Sequence, residues 1–249
     1  MKNVIFYLVL AMTAVLSSCN VQEEYTFTED GGVTYSLQYS ISKEMMGGGN
    51  FSASGLPTDT LISLGELMKE NDGVKVDYPE KDEDVANISP LHMGVGSSDE
   101  EISITIKGDF ADLNAMQKSL KSFARLSEQS AEKNGDGANE IAQKMVTSTV
   151  TQDNILYSYD KKGFSKKCTS SSADSEENFK NLFGEMEGGL TEMLSAGKYV
   201  VKYNFPKKVK SVDNANAIIS EDEKSVVVEY PMMEVLMSPQ KMGIAVKFK

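Results

Sequence analysis

Several stretches of this chain alternate large apolar with polar side chains, residue by residue. That period of two commits them to strands with one buried face. Tyr25, Phe27, Val33, Tyr35, Leu37, Tyr39 and Ile41 alternate on either side of Asp30-Gly31-Gly32, which predicts a hairpin with a glycine-rich turn. Asn87 to Val95 and Ile102, Ile104 and Ile106 predict a second strand pair, turned by Gly96-Ser97-Ser98-Asp99. Ile155, Tyr157, Tyr159 and Phe164 flank Asp160-Lys161-Lys162-Gly163, a third hairpin. Tyr199, Val201, Tyr203 and Phe205 alternate up to Pro206. Glu221-Asp222-Glu223-Lys224 then turns the chain into Val226 to Tyr230, and Ile244, Val246 and Phe248 form the last strand.

Helical spacing interrupts these strands. Leu61, Leu64, Leu67 and Met68 predict a helix opened by Pro57-Thr58-Asp59-Thr60 and stopped by Asn71-Asp72-Gly73. Val74 to Val85 reads as an acidic, turn-like segment. Phe110, Leu113, Met116, Leu120, Phe123 and Ala124 define a longer buried stripe. Ile141, Met145 and Val146 suggest a short helix. Phe179, Leu182, Phe183, Met186, Leu190, Met193 and Leu194 give the strongest stripe, with Gly188-Gly189 in its middle. Met232 to Met237 is an apolar crossover. Strands outnumber helices and follow one another in the chain. The expected class is α+β, an antiparallel sheet packed by helices on one face.

The first residues constrain location rather than fold. Lys2 precedes an apolar run from Val4 to Leu16, too short for the ~20 residues of a spanning helix. Leu16-Ser17-Ser18-Cys19 closes it in the form of a bacterial lipobox. The expected organisation is a signal peptide over 1–18, a lipidated tether over 19–24 and one α+β domain over 25–249. Cleavage before Cys19 would place a diacylglycerol thioether on its sulfur, and two or more chains, palmitate among them, make a stable anchor. Asn20 in place of an aspartate leans toward the outer membrane. Asn20 to Glu24 is expected to be a flexible spacer.

Composition excludes several functions. The chain carries 25 Lys+Arg against 37 Asp+Glu, a net charge of −12, so nucleic acid is not an expected partner. Of the two cysteines, Cys19 is taken by lipid, which leaves Cys168 without an intrachain disulfide. Cys168, next to Lys166-Lys167, reads as a thiol packed on a strand. His92 is the one histidine and reads as a strand residue facing solvent or a neighbour. A triad would have to use it, and no Gly-x-Ser-x-Gly elbow occurs. Asn134-Gly135-Asp136-Gly137 has Glu132 where a calcium loop needs its first aspartate, and reads as a turn. No catalytic residue, cofactor or metal ligand is expected. A carboxylate-pair hydrolase would require two buried, facing carboxylates.

The lipobox, the Asp30-Gly31-Gly32 hairpin, Thr58-Asp59-Thr60, Gly108-Asp109-Phe110 before a helix, and Tyr203-Asn204-Phe205-Pro206 followed by Val212, Asn216 and Val226-Val227-Val228 form a recognisable set. In these the chain resembles uncharacterised envelope lipoproteins of Bacteroidetes and, more distantly, the LppM-type lipoprotein domain. The resemblance implies a curved sheet that binds lipid. The chain departs from the LppM pattern in having no Trp and in stopping at Lys249 without a membrane helix. The expected function is a non-enzymatic, lipid-anchored envelope protein that binds a lipid or other apolar ligand, with its 14 methionines as candidate lining. The alternative is a structural or interaction module of an envelope protein assembly.

Overall fold

The computed structural model describes residues 20–43, 60–66, 82–134, 154–169 and 194–249, with backbone alone over 128–134. The molecule is α+β, with two mostly antiparallel sheets and a few helices. Its centre is the expected hairpin of β1 (Asn20–Phe27) and β2 (Val33–Ser42), in which Tyr25 lies opposite Tyr35 and Phe27 opposite Val33. The turn works because Gly31 takes φ 97°, a left-handed conformation that glycine adopts without a Cβ penalty. Thr28 Oγ1 donates to Asp30 and closes the turn.

The hairpin extends on both sides. β2 pairs with β5 (Glu101–Phe110), β5 with β4 (Leu91–Ser97), and β4 with the short β3 (Ile62–Ser63). On the other side β1 runs parallel to β8 (Lys198–Asn204), with Asn20 opposite Lys198 and Tyr25 opposite Tyr203. β8 then pairs with β11 (Ser225–Pro231), which carries the two-residue β10 (Ile218–Ile219) at the sheet edge. The order across the eight strands is β10-β11-β8-β1-β2-β5-β4-β3. A second, four-stranded sheet has the order β6-β7-β12-β9. It comprises β6 (Ile155–Tyr159), β7 (Gly163–Cys168), β12 (Ile244–Phe248) and β9 (Val209–Val212).

One face of the large sheet buries Val21, Tyr25, Phe27, Tyr35, Leu37, Ile106, Tyr203 and Val226. The small sheet packs over its middle through aromatic rings. Phe27 stacks on Tyr159 with centroids 4.6 Å apart, and Phe164 lies 5.2 Å from Tyr203. Helix α1 (Asp82–Ile88) packs against α2 (Leu113–Asn134), whose Met116, Leu120, Phe123 and Ala124 are buried as the sequence predicts, while Leu113 is half-buried and Phe110, expected in the same stripe, instead ends β5. Helix α3 (Met232–Met237) follows β11 directly, as the apolar crossover.

Three sequence expectations need correction. Asn20–Glu24 is no spacer: it is the first half of β1, held between β2 and β8. A glutamate at an inward position, Glu23, disguises the alternation Val21, Glu23, Tyr25, Phe27. Ile62 and Ser63 form a strand on β4, because the open edge of β4 supplies partners for their backbone, and the expected helix begins only at Leu64, running over 64–66 with Leu67 and Met68 outside the described residues. The acidic, turn-like stretch ends in α1, which also takes in Asn87. A helix this short is marginal alone and is held by its packing on α2. Cys19 and the leader, Asp59, the Asn71-Asp72-Gly73 stop, the Ile141 helix and all of the Phe179 stripe except the buried Leu194 lie outside the described residues.

Candidate functional site

Glu23 and Lys166 are the chemical oddity of the core. β1 turns Val21, Glu23, Tyr25 and Phe27 inward, and β7 turns Phe164 and Lys166 toward them. The β6–β7 turn sets this register. Asp160 Oδ1 accepts the amides of Lys162 and Gly163 at 2.7 and 3.0 Å, and those bonds hold its carboxyl below the usual range. Gly163 sits where a Cβ would come within 2.2 Å of the Val246 carbonyl oxygen, so only glycine permits this approach of β7 to β12. Ile244 then lies opposite Lys166.

Lys166 Nζ donates to Glu23 Oε2 at 2.9 Å and to the Tyr25 hydroxyl at 3.2 Å. The Tyr25 hydroxyl donates to Glu23 Oε1 at 2.6 Å, and Tyr35 donates to the same oxygen at 3.2 Å. With its proton committed to Glu23, Tyr25 accepts from Tyr157 at 3.0 Å. The Lys166 ammonium also lies 5.3 Å from the Tyr25 ring centroid. Glu23 and Lys166 are 1% and 3% exposed, so the pair bridges the two sheets out of contact with water.

This environment fixes protons in place. Burial alone would favour a neutral Lys166, but the Glu23 carboxylate and the phenol oxygens outweigh it and hold the ammonium well above its ordinary pKa. Burial, then the Glu23 charge, raises Tyr25, Tyr35 and Tyr199; burial also raises Tyr203. A lysine that keeps its proton is neither a nucleophile nor a base. The cluster acts as a polar staple between sheets.

The residues singled out from the sequence are dispersed. Cys168 ends β7 opposite Ile155, half-buried on a strand. His92 is exposed on β4, its Nδ1 3.3 Å from the Pro90 carbonyl oxygen. Among the described residues the buried carboxylates are Glu23 and Asp84. Glu23 pairs with Lys166, whereas Asp84 on α1 pairs with Arg125 and accepts from Ser122 at 2.7 Å. Among the described residues no cluster of His, Cys, Asp or Glu could hold a metal.

Among the described residues Leu61 and Leu156 are exposed singly, whereas a cleft and two adjacent exposed isoleucines lie together at the β10 edge. A cleft of about 330 Å³ is lined by Asp213, Asn214, Asn216, Tyr230, Glu234 and Lys241. Asn214 Nδ2 donates to the Tyr230 hydroxyl at 3.0 Å, and Lys241 pairs with Glu234 at 2.6 Å. Beside it β10 exposes Ile218 to 70% and Ile219 to 39%. The alternation rule was blind to this site, since a two-residue strand has no period; the dipeptide Ile218-Ile219 amid small polar residues was the available signal.

No protein-family model matches the chain, and neither does any curated protein. Among solved structures, the NMR structure of the folded domain of Mycobacterium tuberculosis LppM aligns with it. That alignment has a TM-score of 0.42 and 7% identity, over 95% of this chain and 93% of that one. Neither ligand nor mechanism follows from so distant a likeness. Among the described residues no helix is long and apolar enough to cross a membrane.

Proposed function

We propose that this chain is a lipid-anchored protein of the cell envelope, attached through Cys19, whose body works by binding rather than catalysis. The lipobox Leu16-Ser17-Ser18-Cys19 at the end of the apolar run carries the reading. The residue after the lipobox cysteine, Asn20, is already registered in the sheet opposite Ser40 and Lys198. An acyl anchor on Cys19 would therefore hold the folded body at the bilayer with no slack between them. Asn20 beside the cysteine supports placement at the outer membrane. The proton-locked Lys166 supports a structural role for the buried Lys166–Glu23 pair that bridges the sheets.

Two binding modes follow from the sequence: a lipid or other apolar ligand, and a module in an envelope assembly. Met116, Met232 and Met242 are core residues, not the lining of an open pocket. The exposed isoleucines at the sheet edge favour the assembly mode.

Intact mass of the membrane-extracted chain tests the anchor. The expected species begins at Cys19 and carries the added mass of its acyl groups. Cys19→Ser is expected to move the protein to the soluble fraction. An unacylated native chain, or a Cys19→Ser variant still in the membrane, would overturn the reading. Density fractionation of the membranes decides between inner and outer.

A further inference from the structure

We propose that the β10 edge is a docking site for an extended peptide segment of a partner protein, apolar at its centre and basic at its ends, which adds to the large sheet as a further strand. β10 is the end strand of that sheet, so among the described residues its outer side has no strand neighbour. Exposed strand edges invite pairing, and proteins commonly guard them with charge, above all lysine. No charge guards this edge, which is kept short at two residues. Ala215-Asn216-Ala217-Ile218-Ile219-Ser220 contains no charged residue, in a chain of which 25% is charged. Ile218 and Ile219 stand exposed at its middle.

The surroundings select the occupant. β11 pairs with β10 only at Val226 and Val227 and continues to Pro231, so the β10 edge leads into the cleft beside Tyr230. Acidic residues bracket the apolar centre: Asp213 on one side, Glu221 and Asp222 on the other. Asp222 stays ionised to low pH, because Ser220 and the Lys224 amide donate to it. Nearby carboxylates already have lysine partners, Glu229 in Lys198, Glu234 in Lys241, and Glu223 in Lys208 and Lys249, whereas Asp213 accepts the Ala245 amide at 2.6 Å and forms no ion pair among the described residues. The bracket therefore favours cationic ends on whatever pairs with β10. A second copy of this chain, paired antiparallel through β10, would set Asp213 of one molecule near Glu221 and Asp222 of the other. Anionic headgroups would be repelled in the same way. Strand addition supplies affinity through main-chain hydrogen bonds, and alternate side chains supply specificity.

The proposal gives the binding reading above a partner class. Its test is independent of the anchor, because peptide affinity is read on the purified full chain whether or not Cys19 carries lipid. The probe is a short blocked peptide of alternating valine and threonine ended by lysines, with a glutamate-ended counterpart. NMR titration is expected to shift the amides of Ala217 to Ser220. The lysine-ended peptide is expected to bind about tenfold more tightly than the other at low salt, a preference that shrinks as salt rises. The Ser220 amide donates inward to the Ser225 carbonyl at 2.9 Å, so by alternation the outward-facing N–H of β10 is that of Ile219, and Ile219→Pro should abolish binding. Ile218→Lys, which leaves the backbone intact, should weaken the lysine-ended peptide about tenfold. Equal affinity for both peptides, no binding of either, or binding indifferent to Ile218→Lys would overturn the proposal. So would a dimer that Ile218→Lys dissociates, or phosphatidylcholine vesicle binding that the same change removes.

Discussion

Glu23 and Glu24 are neighbours in sequence and lie on opposite faces of one sheet. Each meets a lysine at nearly the same distance: Glu23 with Lys166 at 2.9 Å, Glu24 with Lys202 at 3.0 Å. The first pair is almost wholly buried; the second is 43% and 46% exposed. On the outer face Glu24 also accepts from Asn204 at 2.6 Å, and Asn204 continues to Thr26 and Ser225. Water can replace any of those contacts. On the inner face nothing replaces them, and each phenol and each charge relies on its neighbours. The same ion pair is thus an accessory on one face and a requirement on the other. Its chemistry is identical; its dielectric surroundings differ.

Lys166→Met leaves the Glu23 carboxyl without its cation in the core and is expected to destabilise the fold by about 3–5 kcal/mol, read from urea denaturation. Combining it with Glu23→Leu should cost less than Lys166→Met alone, because no buried charge remains. If Lys166→Met and Glu24→Gln cost the same, the contrast between the faces fails.

Alkaline pH is expected to have the next largest effect. Lys166, Tyr25, Tyr35, Tyr199 and Tyr203 all hold protons in the folded chain more tightly than when unfolded. Their contribution is complete below the unfolded-state values of about 10 for tyrosine and 10.4 for lysine. It is lost as pH climbs from there through the raised folded-state values, since the unfolded chain then binds fewer protons. Melting temperature should therefore fall from about pH 10 upward. A flat profile to pH 12 would show that these groups are not held as described.

Tyr25→Phe removes one donor to Glu23 and one acceptor for Lys166 and Tyr157, at an expected cost of about 1–3 kcal/mol. Smallest is Glu24→Gln, expected to cost under about 1 kcal/mol and to fade in high salt. Burial opposes ionisation of Glu24, but Lys202 and Asn204 outweigh it and lower its pKa. Its share of stability is present above the unfolded-state value and disappears as pH falls through the lower folded-state one. A denaturant titration in low and high salt measures it.

Much of the fold was legible. The Tyr25–Ile41 hairpin, the β6–β7 hairpin, the α2 stripe from Leu113 onward and the C-terminal strands each carry a local period, and each forms where that period predicts. The β1–β8 pairing was not legible, because parallel neighbours brought together from distant parts of the chain leave no mark in either segment. For the same reason the strands could not be divided between two sheets. β1 was mistaken at its start because Glu23 occupies a core position, and a pattern rule counts glutamate as outward. Lys166 likewise reads in sequence as a charged neighbour of Cys168. Neither residue signals that the other waits across the sheets.

Local order, then, was written in the chain: which segments extend, which coil, and where glycine and aspartate turn them. A period of two or of three to four residues is a property of neighbouring side chains and needs no third dimension. What only the assembled molecule decided is where each charge ends up. Burying Glu23 is tolerable only once Lys166 and the tyrosines from other strands surround it, and that company exists only after the sheets have met.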